Sequence, residues 1–298
     1  MKKLIYFSFI SLLSHFSLAQ QNDFAKYVDP MIGTGGHGHT FPGATCPFGM
    51  VQLSPDTRID GSWDGCSGYH YSDSLIYGFS HTHLSGTGCS DFGDILLFPS
   101  AKEIPLTALE AGKVNSSFSH RNEKAEAGYY SVQLDNGVSV ELTSTSRVGM
   151  HRYVFPNAQY AYIMLDLELR DKVISSSATL HENKRVTGFR ESEAWAKDQM
   201  VMYDLEFSQP FEDAYTINGS VMKQEEPVSG TKVRVVFKFK LNESKTILTK
   251  VALSPVTIEG AEKNMMAELP AWDFEKVKAD AKANWNMELG KIEINENN

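Results

Sequence analysis

The sequence predicts a mostly β protein: a large antiparallel β-sandwich followed by a short helical linker. Between about residues 116 and 254, apolar residues recur at every second position in several short runs. No helical pattern separates these runs, and strands that follow one another without helices pair most simply in antiparallel sheets. A helical period begins only after Pro255. We therefore expect a sandwich domain over residues 20–255 and a helical linker over residues 256–298.

The first 19 residues have the pattern of a cleavable export signal. Lys2 and Lys3 give a positive start, residues 4–13 are nearly all apolar, and residues 17–19 (Ser-Leu-Ala) fit a small-x-small cleavage site. The apolar run is too short and too often interrupted by serine for a membrane anchor. We expect an exported protein, periplasmic or extracellular, without a transmembrane segment.

Charge and cysteine content narrow the class of protein. The formal net charge of −9 argues against nucleic acid, whose phosphates require a basic surface, and is compatible with a neutral sugar. Cys46, Cys66 and Cys89 are the three cysteines. An odd number in an exported chain does not indicate a disulfide scaffold, although one bridge is open and the sequence does not select its pair.

Two segments illustrate the strand pattern. Residues 132–134 and 138–142 alternate between apolar and polar side chains, and the intervening Asp135-Asn136-Gly137 predicts a hairpin turn. In residues 232–240, four apolar side chains face one way and four basic ones, Arg234 among them, face the other. Similar segments lie near residues 160–167, 185–190, 201–207 and 246–253.

Two helices are predicted in the linker. Residues 259–268 suit a short helix that Pro270 would end. Asp273 is a plausible N-cap for a longer helix, and Gly290 suits its C-terminal end. Apolar residues three or four apart form one face of that helix: Phe274, Val277, Ala281, Trp285 and Leu289.

Three glycine-rich strings, residues 33–43, 63–71 and 80–88, are the most informative part of the chain. Glycine permits tight turns and close approach to a ligand, while the interspersed His, Trp, Ser and Thr supply polar edges and flat faces. A packed core uses few such residues, so the strings predict a polar pocket built on loops. Trp63 stands among turn formers, which leaves both a ligand-facing role and plain packing open.

Two further site types can be considered in the same segment. The spacing of His37 with His39, and of His81 with His83, together with Cys89 and Asp91, would suit a transition metal, although histidines that hydrogen-bond within loops are the favoured interpretation. An inverting glycosidase needs an acid and a base about 6.5–9.5 Å apart. The spacing of the aspartates selects no such pair, and most are expected to hold turns: Asp56, Asp60, Asp64, Asp73, Asp91 and Asp94.

At these residues the chain resembles the N-terminal domain of glycoside hydrolase family 92, the exo-acting α-mannosidases. The resemblance depends on long strings: residues 27–35 (Tyr-Val-Asp-Pro-Met-Ile-Gly-Thr-Gly), 39–44 (His-Thr-Phe-Pro-Gly-Ala), 47–56 (Pro-Phe-Gly-Met-Val-Gln-Leu-Ser-Pro-Asp), 66–71 (Cys-Ser-Gly-Tyr-His-Tyr) and 78–88 (Gly-Phe-Ser-His-Thr-His-Leu-Ser-Gly-Thr-Gly). It continues more loosely through the strands and the helix at residues 272–289, and so covers almost all of the chain after the export signal.

The resemblance implies a sandwich joined by helices to an (α/α)6 barrel, with mannose removed with inversion at the junction and calcium helping to bind and distort the sugar. It implies that the catalytic acid, base and most metal contacts come from the barrel, and that the sandwich contributes loops to the substrate pocket. The residues expected to bind substrate are His39, Thr40, Phe41, Trp63, Cys66, His81 and His83.

The sequence stops at Asn298, before the part of the family that would carry the acid and base. We therefore expect no catalytic residue and no metal ligand in this chain, and no hydrolysis by it alone. It would serve as the N-terminal domain of a calcium-dependent inverting exo-α-mannosidase of the α-1,2 type. Both a truncated gene product and a split one, with a barrel supplied by a separate chain as its partner, are open. The alternatives are a stand-alone periplasmic carbohydrate-binding module and, less favoured, a histidine-dependent metallohydrolase.

Overall fold

The computed structural model describes residues 23–219, 221–223 and 227–292. The expected export signal lies outside these residues. Within them the chain forms one sheet of eight strands and one of ten, in which all neighbouring strands run antiparallel. The β-sandwich predicted from the sequence is confirmed.

The strands are numbered in chain order. They are β1 (Ala44–Thr45), β2 (Gln52–Asp56), β3 (Leu75–Ile76), β4 (Gly78–Ser80), β5 (Leu96–Ser100), β6 (Ser116–Glu126), β7 (Tyr129–Leu134), β8 (Ser139–Ser144), β9 (Val148–Val154), β10 (Tyr160–Asp166), β11 (Lys172–His181), β12 (Arg185–Glu193), β13 (Gln199–Phe207), β14 (Asp213–Asn218), β15 (Val221–Lys223), β16 (Val228–Gly230), β17 (Val233–Lys240) and β18 (Thr246–Ser254).

The order of strands in each sheet shows how distant parts of the chain meet. The first sheet runs β1-β2-β4-β5-β10-β17-β14-β15, and the second runs β16-β11-β12-β13-β18-β9-β8-β7-β6-β3. The main core takes buried side chains from both sheets, such as Leu165 and Phe237 from the first and Leu142 and Val251 from the second. The short strands β1, β2 and β4 hold the loops that carry the glycine-rich strings.

The predicted hairpin is present. Strands β7 and β8 pair, Gly137 has a φ of +92°, and its N–H donates to the Leu134 carbonyl. Val132, Val140 and Leu142 are buried, as the period of two predicts. Local sequence was sufficient here because the turn chemistry and the apolar alternation favour the same register.

The outer face of β17 differs from its expectation. The Arg234 guanidinium is buried, pairs with Asp166 at 2.8 Å and Glu168 at 2.7 Å, and donates to the Leu109 carbonyl at 3.0 Å. The helix α1 (Leu106–Glu110) and the segments beside it cover this face with a second apolar cluster. The alternation of β17 was predicted correctly. The strand pattern does not reveal that α1 and the segments beside it cover the polar face of β17.

The predicted helices are confirmed as α2 (Ile258–Glu268) and α3 (Phe274–Leu289), and a 3-10 helix spans Phe24–Tyr27. The Asp273 carboxylate accepts from the Lys276 N–H, as expected of an N-cap. Gly290 follows the last residue of α3, with a φ of −76° and therefore without a left-handed cap. Both helices pack on the second sheet. The indole N–H of Trp285 donates to the Thr45 carbonyl at 2.7 Å.

None of the helices in the described part of the chain is long and apolar enough to cross a membrane.

Candidate functional site

Loops beside β2, β4 and β5 bring the three glycine-rich strings together. The Ser67 hydroxyl donates to the Thr40 carbonyl at 3.0 Å, which joins residues 63–71 to residues 33–43. The Gly86 N–H donates to the His39 carbonyl at 2.6 Å, which joins residues 80–88 to the same loop. We call these three segments the glycine-rich loops.

Trp63 is more exposed than Tyr71, the other exposed large aromatic residue of the glycine-rich loops. It is 56% exposed, yet two imidazoles hold its ring. The His39 ring meets the indole edge-on with centroids 4.3 Å apart, and the His37 ring lies tilted at 5.0 Å. A Cβ atom at Gly88, where φ is +69°, would lie 3.0 Å from the indole Nε1, so the absence of a side chain there lets the loop pack closely. Trp63 is therefore fixed in place while much of it faces solvent.

The two histidines beside Trp63 differ in environment. His37 is exposed, and its Nδ1 lies 2.5 Å from Asp64 Oδ1. This hydrogen bond lowers the pKa of the Asp64 carboxyl. His39 is buried at 7% exposure, has a φ of +55°, and its Nε2 has no hydrogen-bond partner in the described part of the chain. A buried nitrogen of this kind is free to bond a ligand or a water molecule.

Thr40 and Phe41 support the loop from behind. The Thr40 hydroxyl donates to the Ile32 carbonyl at 3.0 Å, and the Thr40 N–H donates to the Gly33 carbonyl at 3.3 Å. The Phe41 ring lies 5.1 Å from the His83 ring. Both residues are half-buried, so each retains some surface toward a ligand while it fixes the loop.

His81 and His83 lie in the interior, which corrects the expectation that they contact substrate directly. Both are fully buried. The His81 Nδ1 bonds the Ile95 carbonyl at 2.6 Å, and its Nε2 lies 2.9 Å from the Nε2 of His151. The Tyr153 hydroxyl lies 2.8 Å from the His151 Nδ1 and completes the chain of hydrogen bonds. Both histidines follow β4, which ends at Ser80, and Thr82 between them is buried as well, so the segment has no outer face.

Burial determines the protonation of this chain of groups. Burial lowers the pKa of His81 to about 4 and that of His151 well below its ordinary value. Burial also raises the pKa of the Tyr153 phenol. All three groups are therefore neutral at physiological pH, and the network is structural.

His83 belongs to a buried ionic group beneath the glycine-rich loops. Its Nδ1 bonds the Gln52 carbonyl at 2.7 Å, and its Nε2 lies 3.2 Å from Asp56 Oδ1. Asp56 also accepts from the Ser80 N–H at 3.0 Å and lies 4.0 Å from the Arg170 guanidinium. Burial acts to raise the pKa of Asp56, but His83, Arg170 and the hydrogen bonds outweigh it, and the net pKa is lowered.

Gly68 closes this group from above. Its φ is +90°, and a Cβ atom there would lie 2.5 Å from Arg170 and 2.7 Å from Asp56 Oδ1. Any side chain at this position would clash with the ion pair as well as strain the backbone. The glycine therefore lets the loop carrying Trp63 lie directly on the buried charges.

Cys66 is also buried, at 1% exposure. Burial raises the pKa of its thiol, against the opposing effects of the Gly88 N–H and the Arg170 charge. It is therefore a protonated, packed thiol rather than an exposed contact residue. Cys46, Cys66 and Cys89 are all free thiols in the part of the chain that the structure describes.

Comparison with known proteins identifies the family. Residues 27–254 match the glycosyl hydrolase family 92 N-terminal domain. The chain belongs to glycosyl hydrolase family 92. Residues 260–298, which include all of α3, match the catalytic domain of family 92.

Solved structures of family 92 share this fold. An α-mannosidase of Bacteroides thetaiotaomicron is 32% identical with a TM-score of 0.85, and the match covers 93% of this chain and 39% of that one. An inverting mannosidase of the same organism is 29% identical with a TM-score of 0.81, over 92% of this chain and 37% of that one. An uncharacterized secreted glycosidase of Arthroderma benhamiae is 28% identical over 95% of this chain and 40% of its own length. The chain thus spans about two fifths of these relatives.

The aspartates of this family 92 segment hold loops together, as most were expected to do. Asp91 accepts from two backbone N–H groups, at 3.0 and 2.7 Å. Asp94 pairs with Arg190 at 2.5 Å, and Asp73 pairs with Arg58. Each carboxylate already has a structural partner, which leaves none of the three as a free acid or base.

The donor atoms do not form a metal centre. Within residues 23–219, 221–223 and 227–292, no group of three or more His, Cys, Asp or Glu side chains is arranged to hold a metal ion. His37, His39 and Cys89 belong to the loops near the surface. The imidazoles of His81 and His83 already form hydrogen bonds within the protein, with backbone carbonyls and with Asp56. The histidine-dependent metallohydrolase therefore has no support from this family 92 structure.

Several residues beneath the site were not predicted from the sequence. His151 lies on β9 between Met150 and Arg152. Arg170 lies in the loop before β11 with a φ of +69°, and its Nε and Nη1 are buried without a hydrogen-bond partner in the described structure. Burial raises the pKa of the adjacent Asp171 to about 7. No local motif marks these positions, because loops distant in sequence create their environment.

Proposed function

We propose that this chain provides the N-terminal domain of a calcium-dependent, inverting exo-α-mannosidase of the α-1,2 type that acts on mannose-containing glycans. Its role is to form one wall of the substrate pocket with the glycine-rich loops. The observation that supports this most strongly is Trp63, an exposed indole that two imidazoles hold in place within a family 92 domain.

Trp63 is the residue that we assign to direct contact with sugar. The apolar face of a pyranose stacks on an aromatic ring, while the indole N–H can bond a hydroxyl. His39 offers a buried, unpaired Nε2 beside the indole. Thr40 and Phe41 shape the loop around it. His81, His83 and Cys66 act from beneath as positioning residues, because each is buried.

The proposal assigns the catalytic acid and base to the family's barrel domain rather than to this chain. The aspartates that hold the glycine-rich loops are already paired, and a buried, paired carboxylate is poorly placed to exchange protons with a substrate. Each missing general acid or base costs about 10²–10⁴-fold in rate. We therefore propose that the residues of this chain alone do not hydrolyse α-mannosides, and that they act together with the barrel domain of the family.

We also propose that calcium is bound by the barrel domain of the family. Calcium binds oxygen ligands in a flexible geometry, so when bound it can hold the hydroxyls of a sugar that is being distorted. The described residues offer no cluster of three or more metal-binding side chains. We therefore assign the calcium ligands to the barrel domain, with this chain bringing the glycan to it.

We propose that the protein is exported from the cytoplasm. The name of the related Arthroderma benhamiae protein describes a secreted glycosidase. The first 19 residues of this chain fit a signal peptide. We propose cleavage after Ala19 and a periplasmic or extracellular location, which mass spectrometry of the mature N-terminus would test.

Hydrolysis assays test the central proposal. The purified chain should release no mannose from α-1,2-mannobiose or an aryl α-mannoside above the rate of the buffer. Addition of a family 92 barrel domain with calcium should produce activity that chelation removes and that Trp63→Ala reduces. Mannoside hydrolysis by the chain alone that a chelator abolishes would contradict the assignment of the catalytic groups to the barrel domain.

A stand-alone carbohydrate-binding module is the second candidate, favoured by how firmly the chain's own residues hold Trp63. Calorimetry with mannose and short α-mannosides distinguishes the two. Binding by the chain alone with an affinity that does not improve when the barrel domain is added supports the module. Binding by the chain that tightens when the barrel domain is added supports a pocket formed by both domains.

A further inference from the structure

The glycine-rich loop at residues 33–43 also lines a pocket that has no role in the proposed function. Its volume is about 390 Å³. It shares a loop with the first site: Gly35 lines this pocket, whereas His37, two residues later, contacts Trp63. The residues that line it include Asp29, Ile32, Thr34, Tyr71, His120 and Glu123.

Three neighbouring side chains hold His120 in this pocket. Its Nδ1 lies 2.7 Å from Glu123 Oε2. The Tyr71 ring stacks on the imidazole with centroids 4.1 Å apart and planes at 19°, and the Phe118 ring meets it edge-on at 5.0 Å. Contacts on a face, an edge and one nitrogen define the orientation of the ring.

Glu123 determines which nitrogen of His120 carries the proton. Its side chain is only 2% exposed, and it accepts from the Tyr69 hydroxyl at 2.9 Å and the Tyr130 hydroxyl at 2.7 Å. Burial and the nearby Glu123 raise the pKa of both phenols, so both remain donors. The carboxylate is therefore an acceptor for the Nδ1 proton of His120. The Nε2 of a neutral His120 then carries a lone pair, and it has no hydrogen-bond partner among the described residues.

The backbone at this point departs from a regular strand. The pairing of β6 with β7 shifts register between Phe118 and Glu123, and His120 lies inside the irregular stretch. Such bulges redirect side chains and are over-represented next to functional sites. In a regular strand, residues 118, 120 and 122 would share one face and residue 123 would lie on the other. The bulge allows His120 and Glu123 to meet.

The lining indicates the chemistry of the ligand. Asp29 and Glu123 are acidic and the six lining residues named above include no lysine or arginine, which disfavours an anion. Tyr71 is 48% exposed and Ile32 is 74% exposed, so apolar surface is available beside the hydrogen-bond acceptors. Apolar surface with a few fixed polar groups is the composition of a sugar-binding pocket.

We propose that this pocket is a subsite for a second hexopyranose residue of the glycan, with the His120 Nε2 accepting a hydrogen bond from a sugar hydroxyl. The inference rests on the proposed function, since it takes the residue at Trp63 to belong to the same glycan. Gly35 and His37 are two residues apart, a span of about 7 Å at most, so one oligosaccharide can reach both places. The pocket would favour glycans longer than a disaccharide.

Spectroscopy on the full chain tests the two sites separately. In the ¹⁵N-labelled chain, the imidazole signals of His120 and the indole N–H signal of Trp63 report each site, with H120A and W63A providing the assignments. A linear α-mannotriose should shift both sets of signals. Methyl α-mannoside should shift the His120 signals less at the same concentration, because a monosaccharide gains nothing from the adjoining site.

The outcomes separate the inference from the proposed function. Movement of His120 without Trp63 supports the pocket and removes Trp63 from sugar binding. Movement of Trp63 alone, or of neither, overturns the pocket. A response of His120 to zinc or calcium ions but not to mannotriose also overturns it, in favour of a metal site.

Variants test the same claim by affinity. H120A should weaken mannotriose binding about tenfold, whereas H181A, at a half-buried histidine on β11, should leave it unchanged. E123Q keeps the size of the side chain but removes the charge that orients His120, and should weaken binding with a change in the imidazole tautomer signals. If H120A or E123Q unfolds, Y71A removes a half-exposed ring and tests the same surface. Unchanged affinity in folded H120A or Y71A overturns the inference.

Discussion

The indole of Trp63 meets the imidazole of His39 edge-on, with centroids 4.3 Å apart and planes inclined at 82°. The contact joins an exposed ring to a buried one, because Trp63 is 56% exposed and His39 only 7%. An edge-to-face contact of this kind stabilises a defined ring orientation. Trp63 is thus preorganised before any ligand binds, which reduces the entropy that binding would otherwise lose.

Trp63→Ala should weaken the binding of α-mannosides about tenfold, because it removes the stacking surface and the indole donor. Stability should change by less than about 1 kcal/mol, since the ring is largely exposed. Calorimetry with an α-mannoside and chemical denaturation measure the two effects.

The matched control is Trp195→Ala. Trp195 is 69% exposed and lies in the turn between β12 and β13, where Ala196 bonds Asp91. Its removal should leave mannoside affinity unchanged. An equal loss of affinity in both variants would mean that the effect of Trp63→Ala does not arise from a specific contact.

Gly68→Ala should lower the free energy of unfolding by about 1–3 kcal/mol, and further if the buried ion pair must move. Its φ is +90° and its Cβ would lie 2.5 Å from Arg170. Gly61→Ala is the comparison, because φ there is +71° but nothing lies within 4 Å of the added atom. Urea denaturation of both variants separates backbone strain from the clash. Equal losses would show that the clash is relieved at no cost.

His81 and His151 should make the fold sensitive to mild acid. Burial lowers the pKa of His81 to about 4 and lowers that of His151 well below its ordinary value. The unfolded chain protonates both below about pH 6.5, while the folded chain keeps them neutral, so stability falls as pH falls from about 6.5 toward 4. The pair should account for about 2 kcal/mol of the unfolding free energy between pH 6 and pH 5.

His151→Gln removes one titrating group but keeps hydrogen-bonding capacity. Its unfolding free energy should depend less on pH across this interval, by about 1 kcal/mol per pH unit. Denaturation curves at several pH values provide the measurement. A slope identical to that of the original chain would show that His151 is protonated in the folded state.

Asp56→Asn should destabilise the fold by about 3 kcal/mol, because the Arg170 guanidinium would then be buried without its counter-charge and His83 would lose its carboxylate partner. The folded-state pKa of Asp56 is lowered, so its contribution is present above about pH 4 and is lost as pH falls through the folded pKa. The variant should therefore differ most from the original chain at neutral pH.

Asp64→Asn provides the control for a surface pair. Asp64 contacts the exposed His37, and water screens an exposed pair so that it contributes little to stability. Denaturation at pH 7 should give a much lower free energy of unfolding for Asp56→Asn than for Asp64→Asn. Comparable stability of the two variants would refute the buried ionic group as a source of stability.

Features encoded in consecutive residues could be predicted from the sequence. The β7–β8 hairpin follows from apolar alternation around Asp135-Asn136-Gly137, and α3 follows from the Asp273 cap and an apolar stripe. The exposure of Trp63 also agrees with its neighbours, since turn formers seldom lie in a core. In each case short-range chemistry and the final environment point the same way.

Features that depend on contact between distant segments could not be predicted. The spacing of His81 and His83 does not determine their surroundings, because His81 is buried against His151 of β9 and His83 against Asp56 of β2. Likewise, Arg234 alternates with apolar residues, yet it is buried because α1 and its neighbours cover the strand. The bulge that brings His120 to Glu123 has no local signal either.

The chain's own residue order was enough to determine the β class, the hairpin, the helix caps and the loops on which a site could form, because backbone preferences act over a few neighbouring residues. Only the tertiary structure decided which polar side chains would face a ligand and which would be buried. Burial, and with it the protonation of His81, Asp56 and Cys66, results from packing between segments far apart in sequence. That packing depends on the sum of many weak contacts, and no single stretch of residues contains it.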